Sequence, residues 1–183
     1  MTEKEKIAIY IDGGNLYFKL KELKIEHTTD FDYKGLCDYL ARGREVVSYR
    51  YYVGTIRAGK DDKRGQKLRA GQQRLFNKLL EKNFVIKKGY LMQNNGKFHE
   101  KGVDVQIAID LLIGAYDGMY DAAVLISSDT DLIPAIKKIK YLGKAIEYVG
   151  FSHQPSLGMQ KNVNLSRLLL EEEVKKFEYK GLV

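Results

Sequence analysis

Two stretches of this chain share one design: IAIYIDGGN at residues 7–15 and AAVLISSDTD at residues 122–131. Each begins as an uninterrupted apolar run and ends in acid. A run of that kind, with no polar residue to face water, suits a strand buried on both faces. Such strands belong to parallel sheets covered by helices on either side. This feature constrains the fold more than any other in the sequence.

The rest of the chain supplies the helices. A helix is expected from Asn15 or Leu16 to about Lys24, and a second over YKGLCDYLAR, capped by Asp32. VVSYRYYVGTI at 46–56 reads as a strand from its β-branched and aromatic residues. Residues 64–82 read as a long helix with Leu68, Leu75, Phe76, Leu79 and Leu80 on one side. A strand follows over 84–92, then an Asn94-Asn95-Gly96 turn and a polar loop to Gly102. Residues 103–116 read as an apolar helix and 122–127 as a buried strand. A helix is expected over 132–142 with Pro134 in its first turn, where proline is tolerated, and a strand over 144–149. From Phe151 the pattern weakens to a loop and a charged helix near Leu165–Phe177. No linker and no internal repeat interrupts the alternation. The expectation is a three-layer α/β/α sandwich with a mostly parallel sheet and right-handed crossovers. It forms one domain over 1–183, with a core at about 5–150 and a C-terminal extension at 151–183.

This topology gathers acids. Ligands of such sheets bind beyond the carboxyl ends of the strands, where strand order reverses. Asp12 and Asp129 follow strands, so they lie on that edge. Helices on a parallel sheet run antiparallel to it, so Asp104 and Asp131, at helix starts, face the same edge. Asp110, six residues beyond Asp104, falls about 9 Å further along the helix axis and away from it. Four clustered carboxylates raise one another's pKa values. A hard divalent cation, Mg²⁺ or Mn²⁺, relieves the repulsion and suits oxygen donors. It also activates water and neutralises charge on a phosphodiester. Asn15 adds a neutral oxygen or holds a water, and Gly13-Gly14 allows a close turn. Structural readings stand beside these. Asn15 and Asp131 suit helix N-caps, Asp104 suits a helix dipole, and Asp129 suits a turn. Asp12, between a buried strand and two glycines, has the weakest structural reason to be there.

YIDGGNLY at 10–17, EKGVDVQIAIDLL at 100–112 and LISSDTDLIPAIKKIKYLGKAIEYVG at 125–150 together resemble the NYN domains, the LabA-like or DUF88 group of the PIN-like nuclease superfamily. The resemblance covers about residues 5–150 in order. It implies a PIN-like, Rossmann-like fold and a Mg²⁺- or Mn²⁺-dependent ribonuclease leaving a 3′-hydroxyl and a 5′-phosphate. Asp12 matches the first-strand acid, Asn15 the polar residue after the glycines, and Asp104 the acid of KGVD. Asp129 and Asp131 match the acids of S-x-D-x-D. The implied catalytic set is Asp12, Asn15, Asp104, Asp129 and Asp131, and the four acids are the implied metal ligands. Ser128 stands where the family commonly has glycine.

Composition bounds the partners. The net charge is +7 and the pI about 9.2, which favours a polyanion. Residues 56–74 hold seven Lys/Arg against two acids. Arg57, Lys60, Lys63, Arg64 and Lys101 are the candidate phosphate contacts; a solvated, charged helix start is the plain alternative. Tyr17 and Phe18 suit base stacking or, more simply, core packing. His27, His99 and His153 suggest no catalytic set. The single cysteine, Cys37, excludes an internal disulfide and suits a reducing compartment. No apolar run approaches the ~20 residues of a membrane span, and the N-terminus does not read as a signal peptide. The expected setting is the cytoplasm, the expected partner a single-stranded or structured RNA, with self-association into a homodimer open. Two other functions compete with a nuclease. One is an RNA-binding regulatory module without useful turnover. The other is a haloacid-dehalogenase-type phosphatase, which needs a second Asp where this chain has Gly14.

Overall fold

The computed structural model describes residues 3–56, 58–59, 61–94 and 97–181, with backbone alone for residues 90–101. Seven strands form one sheet: β1 Lys6–Asp12, β2 Glu45–Gly54, β3 Phe84–Asn94, β4 Lys97–Lys101, β5 Ala122–Ile126, β6 Ala145–Phe151 and β7 Leu165–Leu169. The helices are α1 Gly13–Glu22, α2 Tyr33–Ala41, α3 Lys63–Glu81, α4 Val103–Tyr116, α5 Ile133–Tyr141, α6 Leu157–Asn162 and α7 Glu171–Val174. Strand order is β4-β3-β2-β1-β5-β6-β7. Every pairing is parallel except β3 with β4.

The chain thus leaves β1 in one direction through β2 and β3, and returns to its other side through β5 and β6. The strand order reverses between β1 and β5, which opens a crevice at their carboxyl ends. Strand periodicity divides the core in two. Ile7, Ile9 and Ile11 pack with Leu16, Leu20, Leu36, Leu75, Phe76 and Val174, so α1, α2, α3 and α7 cover this face. Ala8 and Tyr10 pack with Ile107, Leu111, Ile136 and Met159, so α4, α5 and α6 cover the other. One step further along β1, the same alternation gives Asp12 to the α4 face. Ile11 pairs with Ile126, which sets Asp12 level with Ser127.

Several elements differ from expectation. Helix α1 begins at Gly13, directly after β1, because Asp12 caps it. The polar loop before Gly102 is largely strand β4, an edge strand that needs no apolar face. Of the expected charged helix near Leu165–Phe177, Leu165–Leu169 is β7, parallel to β6, and only the short α7 and a 3₁₀ turn follow it. The tail also reaches back across the molecule: the Asp32 N–H donates to the Phe177 carbonyl at 2.8 Å. In α3 only Leu75, Phe76 and Leu79 of the apolar set are buried; Leu68 and Leu80 are exposed. Tyr17 and Phe18 are not core residues but exposed ones. The His153 ring meets Glu22 at 2.9 Å. Cys37 is fully buried, as expected of a core thiol. Helix α4 is apolar on its outer side too, and Val105, Ile109, Ile113 and Tyr116 are exposed along it.

Candidate active site

The β1/β5 crevice is held by a short chain of hydrogen bonds. Asp12 Oδ1 accepts the Asn15 backbone N–H at 2.9 Å, which satisfies one of the orphan donors at the start of α1. Its Oδ2 accepts from Ser127 Oγ at 2.9 Å. Ser127 Oγ in turn accepts the Asp129 N–H at 3.2 Å. Asp129 Oδ1 accepts the Asp131 N–H at 2.8 Å, capping a 3₁₀ turn over Thr130–Leu132 that leads into α5. Asn15 Oδ1 accepts the Ser128 N–H at 3.3 Å and so ties the start of α1 to the end of β5. The capping roles therefore fall to Asp12 and Asp129 rather than to Asn15 and Asp131.

Asp104 enters differently. It stands in the first turn of α4, whose N-cap is Gly102 at φ +85° with no side-chain cap bond. That positive φ is open to glycine at little cost. Asp104 takes no hydrogen bond among the described residues, yet it feels all three other acids. Burial pushes its carboxyl up to about 6, and the charges of Asp129, Asp12 and Asp131 add to the rise. Asp12 is only 7 % exposed. Burial holds its carboxyl above the usual range, the Asn15 N–H and Ser127 pull it back, and the charge of Asp129 raises it again. The fold thus brings Asp12, Asp104, Asp129 and Asp131 into one electrostatic unit at the crevice. Among the described residues, however, no group of three or more Asp, Glu, His or Cys side chains is already arranged as a cation cage. Two residues of the set, Asp12 and Asp129, are fixed by caps, while Asp131 is exposed.

Asp110 lies outside this unit. Its carboxylate accepts from Tyr52 OH at 2.8 Å, Arg50 Nη1 at 3.1 Å and Gln106 Nε2 at 2.9 Å, pinning α4 to β2. Tyr52 is the in-register neighbour of Asp12, so the same contact sets how α4, and with it Asp104, sits over the sheet.

Sequence reasoning missed Ser127. It is 1 % exposed and joins the first-strand acid to the fifth-strand acid; its place at the head of S-x-D-x-D was the available signal. Gly13 also has a different reason from the one expected. A Cβ there would lie 2.5 Å from Tyr51 Cζ, so the glycine makes room for a core ring rather than for an ion. Ser128 needs no positive φ in this turn, and its Oγ lies 3.1 Å from Tyr148 OH.

The basic residues are less fully described. Lys63 and Arg64 lie exposed at the start of α3, capped by Asp62, with Lys67 and Arg69 a turn further on. Arg57 and Lys60 lie outside the described residues, and so does the side chain of Lys101.

The sequence profile of NYN domains matches residues 6–164. The chain belongs to the NYN domain family. NYN domains form part of the PIN-like nuclease superfamily, and the match spans every acid of the crevice. The NYN fold of this chain is also similar to a crystal structure of a protein of unknown function from Vibrio parahaemolyticus. The two are 24% identical over 92% of this chain and 95% of that one, with a TM-score of 0.68. No curated protein matches the chain significantly.

Proposed function

We propose that this NYN protein is a metal-dependent endoribonuclease that hydrolyses RNA phosphodiester bonds at the β1/β5 crevice. The observation that carries the reading is the placement of Asp12, Asp129 and the start of α4 with Asp104 at the carboxyl ends of β1 and β5, where the strand order reverses; burial and the three neighbouring acids push the Asp104 carboxyl up to about 6. Capping accounts for Asp12 and Asp129, but folding gives no reason to add Asp104 and Asp131 beside them. A cation does, and the donors are hard oxygens of the kind Mg²⁺ or Mn²⁺ takes. Asp12, Asp104 and Asp129 would hold the ion, with Asp131 a further ligand or a base behind it. When bound, the ion supplies an activated water and charge neutralisation on the phosphate.

The chain's own side chains do the rest. Ser127 fixes the Asp12 carboxylate by donating to Oδ2. Asn15 spends its oxygen on the Ser128 N–H, and its amide N–H₂, which donates to no other group among the described residues, can donate to a phosphate oxygen or a water. Lys63 and Arg64, with Arg57, Lys60 and Lys101, attract and position the backbone of the RNA. Helix α4 offers an uncharged outer stripe, Val105, Ile109, Ile113 and Tyr116. We place self-association into a homodimer there, since two copies of an apolar stripe satisfy each other about a two-fold axis. No helix among the described residues is long and apolar enough to cross a membrane. A reducing cytoplasm suits the buried, unpaired Cys37.

The test is cleavage of a labelled single-stranded RNA with Mn²⁺, Mg²⁺ or EDTA, beside Asp129→Asn prepared identically. Metal-dependent cleavage that the variant lacks supports the reading. Equal activity in both points to a contaminating ribonuclease. RNA retained by both without cleavage favours the binding module, whose affinity would survive Asp129→Asn and fall with added salt.

A further inference from the structure

We propose that Tyr17 and Phe18 form a stacking step for unpaired bases of the substrate strand beside the acid crevice. The proposal rests on the crevice being where phosphodiesters are cut. Tyr17 is 40% exposed and Phe18 66%. Their rings meet edge to face with centroids 5.6 Å apart. Lys21 Nζ stands 6.0 Å from the Tyr17 ring, which adds positive charge next to the rings.

Packing does not explain the pair. Helix α1 buries Gly13, Leu16, Lys19 and Leu20, and this face is complete without the two aromatics. At about 100° per residue, Tyr17 and Phe18 fall outside the face that carries Leu16 and Leu20, and both stay exposed.

Their position follows from the contacts of the same helix. On one flank, Asn15 bonds Ser128, Lys19 bonds Gln154, and Glu22 bonds His153. That flank therefore faces β5 and β6. Gly13 packs against Tyr51 of β2 on the other side, and Tyr17, four residues on, lies over the same side of the helix. Tyr17 also acts electrostatically on Tyr33 at the start of α2. The loop before α2 carries Asp30, which pairs with Lys78 of α3. Thr29 of the same loop meets α3 at Gly71, so Tyr17, with Phe18 against it, lies on the side of α1 toward α2 and α3, and the first turns of α3 carry Lys63, Arg64, Lys67 and Arg69, all exposed and none ion-paired among the described residues. Tyr17 and Phe18 follow Asp12 by five and six residues, about 7–9 Å along the axis, and long side chains on a helix lean back toward its N-terminus, which is the crevice end of α1.

Two exposed rings on the helix that opens at the phosphate-cutting centre, on its side toward a cationic helix, have the makeup of a single-strand site, in which bases stack and cations track the backbone. A duplex hides its base faces and cannot use the rings. The ligand chemistry is an unpaired nucleobase on a ribose or deoxyribose phosphate chain.

The experiment measures binding in the Asp129→Asn background, so that no probe is consumed. The probes are a labelled 12-mer RNA, a DNA of the same sequence, a 12-mer of abasic ribose phosphate, and the RNA annealed to its complement. Phe18→Ala and Tyr17→Ala are each expected to weaken the single strand roughly 5- to 100-fold, and Phe18→Trp to restore it. The abasic chain and the duplex should bind both variants like the parent. Ring dependence with RNA, DNA or both supports the step and separates the two sources. Equal losses on the abasic chain, no loss on any probe, or no binding by the parent overturns it. Cleavage by the unsubstituted active site that ignores both rings removes the stacking step and leaves the nuclease. Ring-dependent binding without any cleavage does the reverse.

Discussion

Asp104→Asn should make the metal-free protein more stable while removing its response to metal. The folded carboxyl sits at about 6 against an ordinary 3.8. At 1.36 kcal/mol per pH unit that would cost roughly 3 kcal/mol for a shielded group. Asp104 is only half-buried, and solvent screening brings the cost to about 1 kcal/mol. Its charge at the start of α4 interacts favourably with the helix dipole, worth about 0.3–1 kcal/mol, but three nearby carboxylates outweigh one half-charge. The net gain in Asp104→Asn is about 0.5 kcal/mol, or ~1–2 °C in Tm for a chain of this size. The sign follows from linkage. An acid whose pKa is raised by folding destabilises above the folded value, and the penalty fades as pH falls from about 6 toward 3.8. Thermal unfolding of both proteins in a chelator, at pH 7.5 and pH 4.5, isolates the group because every other acid is common to both. The advantage should be full at pH 7.5 and shrink to about a third at pH 4.5. With Mn²⁺ at 100 times its Kd, the wild type should gain about 2.7 kcal/mol and the variant much less. A variant that unfolds no later than wild type at pH 7.5, or whose difference ignores pH, refutes the account of Asp104.

Three further outcomes follow from the same structure. Ser127→Ala removes a buried hydroxyl that serves both Asp12 and Asp129; chemical denaturation should show a loss of about 1–2 kcal/mol, with cleavage reduced as well. Replacing Lys63, Arg64 and Lys67 together by Gln should lower the slope of log affinity against log salt by about 2 for a single-stranded RNA, leaving the unfolding midpoint nearly unchanged. Light scattering should report a mass near twice 21.0 kDa for the wild type and a single chain for Ile109→Lys, which puts a charge into the exposed stripe of α4.

The central strands were legible because nothing but burial on both faces explains IAIYI and AAVLI, and once they are parallel the crevice acids follow by topology. Helix α4 was legible to the residue because Gly102 stops the chain before it and its apolar run ends at Tyr116. What escaped lies at the edges and in the details of contact. Strands β4 and β7 flank the sheet, and their sequences, KFHEK and LSRLL, carry no burial pattern that separates strand from loop or helix; pairing to β3 and β6 decides them. The start of α1 was read late because two glycines disfavour a helix, while the Asp12 cap and the room required by Tyr51 overrule that tendency. Ser127 was hidden because a serine in a sequence does not say that its hydroxyl will face another strand. For Tyr17 and Phe18 residue type alone leaves base stacking and core packing both open; the helix has one face to bury, and Leu16 and Leu20 take it.

The four acids do not stand equally if the site ever falls out of use. Asp12 and Asp129 each hold a backbone N–H as well as any ion, so drift at those positions is confined to side chains that can still cap, Asn and Ser foremost. Asp104 bonds nothing among the described residues, and folding gains by its loss. If the crevice cuts phosphodiesters as proposed, then in a descendant released from that work position 104 would be the first to change, while the acid that opens α1 would outlast the activity. A relative that keeps only Asp12 and Asp129 has kept its helices, not its enzyme; one that keeps an acid at 104 is still bearing a cost that only the chemistry repays.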